Sequence, residues 1–196
     1  MTPPSRPVLA VDLDDVCADR LGVIARDLRA QERPVPSDRP TRWDLRDWGV
    51  RDHDDYDRLH YGAFVTGDGY RTMAPLPGAV EGLRTLHESG FRIRVVTGRL
   101  WTSQIVGSVL AATGAWLDTH GIPAEDVVFV SDKTAVEADV YLEDAPHFIR
   151  DLRALNRAVL VFDQPYNRSF EQPRTTDWAM AVTWLTNAYA AGQVRN

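Results

Sequence analysis

Cysteine is nearly absent from this sequence. Only Cys17 occurs among 196 residues, which excludes an internal disulfide and fits a reducing compartment. No apolar run approaches the roughly 20 residues that span a bilayer, so no membrane segment is expected. The residues before Val8, MTPPSRP, are too short and too polar for a signal peptide, and a soluble cytoplasmic protein is expected. Positive charge is not in excess either. The net charge of −6 argues against gripping a nucleic-acid polymer by neutralising many phosphates. It does not argue against a small anionic substrate, because a divalent cation and one lysine reverse the potential locally. The five histidines lack ligand spacing, so zinc is not expected. Internal repeats and low-complexity tracts are lacking as well.

What is present is a chain long enough for a sizeable core, 44% hydrophobic, in the size range of one domain with a modest insertion. Short β-branched runs stand at 8–13, 91–96, 127–130, 140–142 and 159–162. Segments of helical period separate them, the pattern of a parallel sheet with crossover helices. Helices are predicted over PGAVEGLRTLHESG, TSQIVGSVLAATGAWLDTHG, APHFIRDLRALN and TTDWAMAVTWLTNAYAAG. The last starts at a Thr176/Asp177 cap, and its stripe of Trp178, Ala181, Leu185 and Ala188 reads as core. The interval between the first two strands is about 50 residues longer than one crossover needs. We read 18–77 as a small helical cap inserted after the first strand, and 1–17 with 78–196 as the core.

Ligands of open parallel sheets bind beyond the carboxyl ends of the strands. Four such ends here carry reactive groups: Asp12 with Asp14, Thr97 with Gly98, Ser131 to Lys133, and Glu143 with Asp144. Together they suit phosphoryl transfer. A carboxylate can attack phosphorus, a second one two residues on can exchange protons, and Mg²⁺ on carboxylate oxygens offsets the anionic charge. A hydroxyl, backbone N–H groups and a lysine can hold the phosphoryl oxygens. Read singly, each feature is ordinary: a capping pair, a strand-to-helix turn, a surface lysine.

In order and placement, DLDDV, VVTGR, Lys133 and ADVYLED resemble the four motifs of the haloacid dehalogenase superfamily. The resemblance implies a three-layer Rossmann-like α/β core, and the acid at Asp14 implies a phosphomonoesterase. PLPGAVEGL, DKTAVEADVYLEDAP and FDQPYNR resemble more closely the 5′(3′)-deoxyribonucleotidase type. By that resemblance Asp12 is the nucleophile and Asp14 the acid/base. Thr97, Gly98 and Lys133 bind phosphate, and Mg²⁺ draws on Asp12, the Asp14 carbonyl, and Glu143, Asp144 or both. Asp139 matches the first acid of the fourth motif. The implied substrate is a nucleoside monophosphate; another small phosphomonoester, a nucleic-acid terminal phosphate, or a non-catalytic nucleotide binder are the alternatives.

Departures from that family are specific. Its usual glycine after the second acid is Asp15 here, its base-stacking phenylalanine is Arg20, and the second motif ends in Gly98-Arg99. Arg20 and Arg99 either face substrate or pair with the acids around them. Trp43 and Trp48 either pin the cap or offer a stacking surface, and Tyr70 stands where relatives place an aromatic near the base. RDHDDYD, at 51–57, reads as a solvated acidic helix start. The many aromatics in a small chain are compatible with a homodimer.

Overall fold

The computed structural model describes residues 6–36, 39–99 and 106–192. Six parallel strands form one sheet: β1 (Val8–Val11), β2 (Arg92–Thr97), β3 (Asp126–Phe129), β4 (Val140–Glu143), β5 (Val159–Phe162) and β6 (Arg174–Thr175). Their order is β3-β2-β1-β4-β5-β6, so the chain winds outward from β1, returns, and winds outward again on the other side. The crevice beside β1 is therefore the topological switch point, where open α/β sheets bind ligands.

Period-2 alternation sends successive side chains to opposite faces. Leu9, Val11, Ile93 and Val95 join one apolar cluster, while Ala10, Val96, Tyr141 and Val161 join the other. β4 and β5 are buried along their whole length, whereas edge strand β3 is only partly covered. The expected strand runs fit the sheet with small shifts, and the two-residue β6 has too short a run to show a pattern.

Helices α1 (Arg20–Ala30), α2 (His53–His60) and α3 (Gly69–Thr72) lie between β1 and β2, together with a π-helical turn at Tyr61–Thr66. Core helices α4 (Ala79–Glu88), α5 (Val106–His120), α6 (Pro146–Ala154) and α7 (Trp178–Ala190) follow. The first residues expected in α5, 102–105, lie outside the described residues. Asp177 caps α7, accepting from the Met180 N–H at 2.8 Å. The stripe expected as core is buried, and Trp178 donates through Nε1 to the Val16 carbonyl at 2.8 Å. That bond ties the last helix to the loop after β1.

One expectation fails locally. Asp55, inside the acidic run, is only 3% exposed. Its carboxylate accepts from Arg33 Nη2 at 2.8 Å and from Arg51 Nη2 at 3.1 Å. Arg51 from the same run and Arg33 from 22 residues upstream make its burial tolerable.

Candidate active site

The strand order sets β2 and β4 on either side of β1, so the tips expected to converge do so. Leu13 and Val16 fill the core while Asp12, Asp14 and Asp15 turn toward polar partners. Asp15 adopts φ +61°, a left-handed conformation that Asp tolerates better than most residues.

Each acid of that loop has its own cation. Lys133 Nζ donates to Asp12 Oδ1 at 2.6 Å and to Glu143 Oε2 at 2.5 Å. Arg99 forks onto Asp14, with Nε–Oδ2 at 3.0 Å and Nη2–Oδ1 at 2.7 Å. Arg20 Nε meets Asp15 Oδ2 at 2.7 Å. All three cations are buried, and Lys133 is the only lysine beside 21 arginines. That singularity is a signal that composition alone could have raised.

The carboxylates are electrostatically distinct. Burial pushes Asp12 up to about 7, with Lys133 pulling against it and Glu143 and Asp14 adding to it. Burial also acts to raise Asp14, but the Arg99 guanidinium outweighs it and holds the carboxyl below its ordinary value. Burial, reinforced by Glu143 and Asp12, drives Asp144 well above the carboxylate range. Lys133 is raised despite its burial, because Asp12 and Glu143 face it.

Asp144 differs from the other acids in its partners. Tyr166 donates its hydroxyl to Oδ2, while buried Oδ1 has no hydrogen-bond partner among the described residues. Glu143, by contrast, has both oxygens engaged. Its Oε1 accepts the N–H groups of Asp144 and Ala145 at 3.0 and 2.9 Å, and its Oε2 takes Lys133. One oxygen from each of Asp12, Glu143 and Asp144 lies within 4.8 Å of the other two. This all-oxygen, buried donor set with one orphaned oxygen suits a hard divalent cation. The Asp14 carboxylate lies outside this group, on Arg99.

A cavity of about 270 Å³ opens above these tips, near the lower bound of ligand pockets. Asp12, Asp14, Gly98 and Ser131 form its strand-end floor. Arg20, Trp43, Tyr56, His60 and Tyr70 reach in from the segment between β1 and β2, and His147 and Phe148 from the start of α6. Thr97 is fully buried, with Oγ1 lacking a partner among the described residues. Tyr70 stacks on Phe64 at 4.9 Å and lies under the Arg99 guanidinium at 4.7 Å. Trp43 packs edge-on against Tyr166 at 5.1 Å, whereas Trp48 is buried away from the cavity. Asp139 is distant in role: at the other end of β4 it accepts the Val8 N–H at 2.6 Å. A larger groove of about 690 Å³ runs past Arg39, Asp163, Gln164 and Arg168, but it lacks the acid cluster, which lines the smaller cavity through Asp12 and Asp14.

Residues 6–190 match the family described as 5′ nucleotidase, deoxy (pyrimidine), cytosolic type C. The chain belongs to this family. A Chlorobaculum tepidum protein provisionally named a 5′(3′)-deoxyribonucleotidase is 38% identical over 174 residues, covering 87% of this chain and 86% of that protein. A Bordetella pertussis protein with the same provisional name is 30% identical over 119 residues, 59% of this chain and 62% of that one. In fold, the nucleotidase is similar to a haloacid dehalogenase family hydrolase from Deinococcus radiodurans, solved with phosphate and sodium bound. That likeness has a TM-score of 0.59 and 16% identity, covering 95% and 97% of the two chains. A haloacid dehalogenase-like hydrolase from Streptococcus pneumoniae gives 0.64 at 11% identity, covering 92% and 98%. The enzyme is thus a phosphatase of the 5′-nucleotidase type on a haloacid dehalogenase core.

Reading the sequence missed Tyr56, His60, His147 and Phe148 in the cavity wall, and Tyr166 behind Asp144. Tyr56 and His60 stand four apart on α2 and stack at 4.4 Å, a spacing that puts them on one helical face. Tyr166 lies within the quoted FDQPYNR, where only its partner was hidden.

Proposed function

We propose that this nucleotidase is a Mg²⁺-dependent phosphomonoesterase that works through an aspartyl phosphate on Asp12, with a nucleoside monophosphate as substrate. The observation carrying this reading is the Lys133-held Asp12 beside the orphaned oxygen of Asp144. Asp12 and Asp144, with Glu143 adjacent, would hold the cation, which when bound supplies counter-charge to the phosphoryl oxygens.

A carboxylate oxygen of Asp12 attacks phosphorus, and the bond from phosphorus to the alcohol oxygen breaks. Asp14 must enter this step protonated, against the pull of Arg99, and gives that proton to the departing alcohol. It then removes one from the water that cleaves the acyl phosphate and restores Asp12. Arg99 orients Asp14 for both steps, and its fork favours the ionised form needed in the second. Thr97, Gly98 and Lys133 hold the phosphate oxygens. Trp43 and Tyr70 bound the space for the leaving nucleoside, and the helices of 18–77 close over it as a cap. Buried Cys17 suits a reducing, cytoplasmic setting.

Phosphate release from a panel of deoxynucleoside monophosphates and sugar phosphates, with Mg²⁺ or with chelator, tests the reading. Nucleotides are expected to turn over fastest, only with metal, and not at all in Asp12→Asn. Sugar phosphates outpacing every nucleotide would overturn the substrate assignment.

A further inference from the structure

Arg20 does more than balance a charge. It opens α1, is 4% exposed, and spends Nε on Asp15. Nη1 faces Tyr56 Oη at 3.4 Å and His60 Nε2 at 3.3 Å. The guanidinium lies 5.1 Å over the Trp43 ring, which fixes its plane. Nη2 is buried with no partner among the described residues, on a side chain that lines the same cavity as Asp12 and Asp14.

Asp15 is held just as firmly. Its Oδ1 accepts the Leu21 N–H at 2.9 Å, and its carbonyl accepts from Gln164 Nε2 at 2.9 Å. Glycine would occupy φ +61° without the cost a side chain incurs there. A buried ion pair serving stability alone would also be matched or surpassed by apolar side chains of equal volume. The pair is therefore better explained by what it keeps in reserve: an unspent, buried donor on a side chain that borders the cavity.

We propose that Arg20 reads the leaving group, its Nη2 donating a hydrogen bond to an uncharged oxygen of the departing alcohol, with Asp15 as the positioning residue that aims it. Uncharged follows from the surroundings. Asp15 already cancels the guanidinium charge, and a second anion would share 270 Å³ with Asp12 and Asp14. The assignment rests on the phosphatase reading above.

The test compares kcat/KM for deoxyuridine 5′-monophosphate with that for phenyl phosphate, whose leaving group offers no acceptor beyond the ester oxygen. In Arg20→Met the ratio of the two is expected to fall about 10- to 100-fold, the range for losing a hydrogen bond from a charged donor. The fall is expected mainly in KM. Asp15→Gly/Arg20→Met removes both charges together, so it keeps the comparison open if the single variant misfolds, and it is expected to show the same fall. A ratio within twofold of wild type in either folded variant overturns the assignment alone. Wild-type enzyme that cleaves phenyl phosphate but no nucleotide overturns the nucleotide reading first, before any variant is compared, and the assignment with it.

Discussion

Replacing Arg99 with Met keeps length and apolar stem while deleting the fork that holds Asp14. The structure sets the scale. Arg99 is 1% exposed and Asp14 18%, so the pair is buried on the cation's side and partly solvated on the acid's. Two charge-assisted bonds to Asp14, a 3.0 Å bond to Thr113 Oγ1 and the stacking on Tyr70 all disappear. Breaking such a pair costs about 3–5 kcal/mol when fully buried, and the partial exposure of Asp14 places the expectation near ~3 kcal/mol. For a domain of this size that is roughly a 6–12 °C fall in Tm. Thermal unfolding of Arg99→Met, Asp14→Asn and the double variant closes a double-mutant cycle. The double variant is expected to be more stable than Arg99→Met, because no unpaired acid remains. Its kcat should stay at least about 100-fold below wild type, since the proton-transfer group is gone. Additive stabilities, or Arg99→Met melting within about 2 °C of wild type, would refute the pairing as the reason Asp14 is tolerated where it sits.

Further outcomes follow from individual contacts. Arg51, Arg33 and backbone N–H groups hold the Asp55 carboxyl well below its ordinary value despite opposing burial. A depressed acid stabilises the fold above its unfolded pKa of about 3.9 and loses that contribution as pH falls toward the folded value. Asp55→Asn is thus expected to melt lower than wild type at pH 7, with the gap narrowing below about pH 4. A Cβ on Gly82 would stand 2.6 Å from Trp178 Cε3, so Gly82→Ala is expected to cost about 1–3 kcal/mol in urea unfolding. Added Mg²⁺ is expected to raise the Tm of wild type and Glu143→Gln but not of Asp144→Asn; equal shifts in all three would reassign the ligand.

The sheet was legible because β-branched runs separated by helical period leave few topologies open. The candidate site was legible because four reactive strand ends recur in one chain. Partnership was not. Whether Arg20 and Arg99 met substrate or acids could not be read, because their partners are fixed by how α1 and the turn after β2 approach β1. Arg99 takes Asp14, while Arg20 takes Asp15 and keeps one donor over. The choice between Glu143 and Asp144 was equally hidden, since it turns on which oxygens the Lys133 ammonium and the backbone N–H groups of Asp144 and Ala145, just before α6, already occupy. Trp43 and Trp48 look alike in sequence, yet one borders the cavity and the other is buried in the core.

Acid quenching during turnover of a phosphate-labelled deoxynucleotide measures the covalent step itself. Label is expected on the wild-type protein, in a peptide containing Asp12, with none on Asp12→Asn. Asp12→Asn enzyme that still releases phosphate at the wild-type rate would contradict the account at its root.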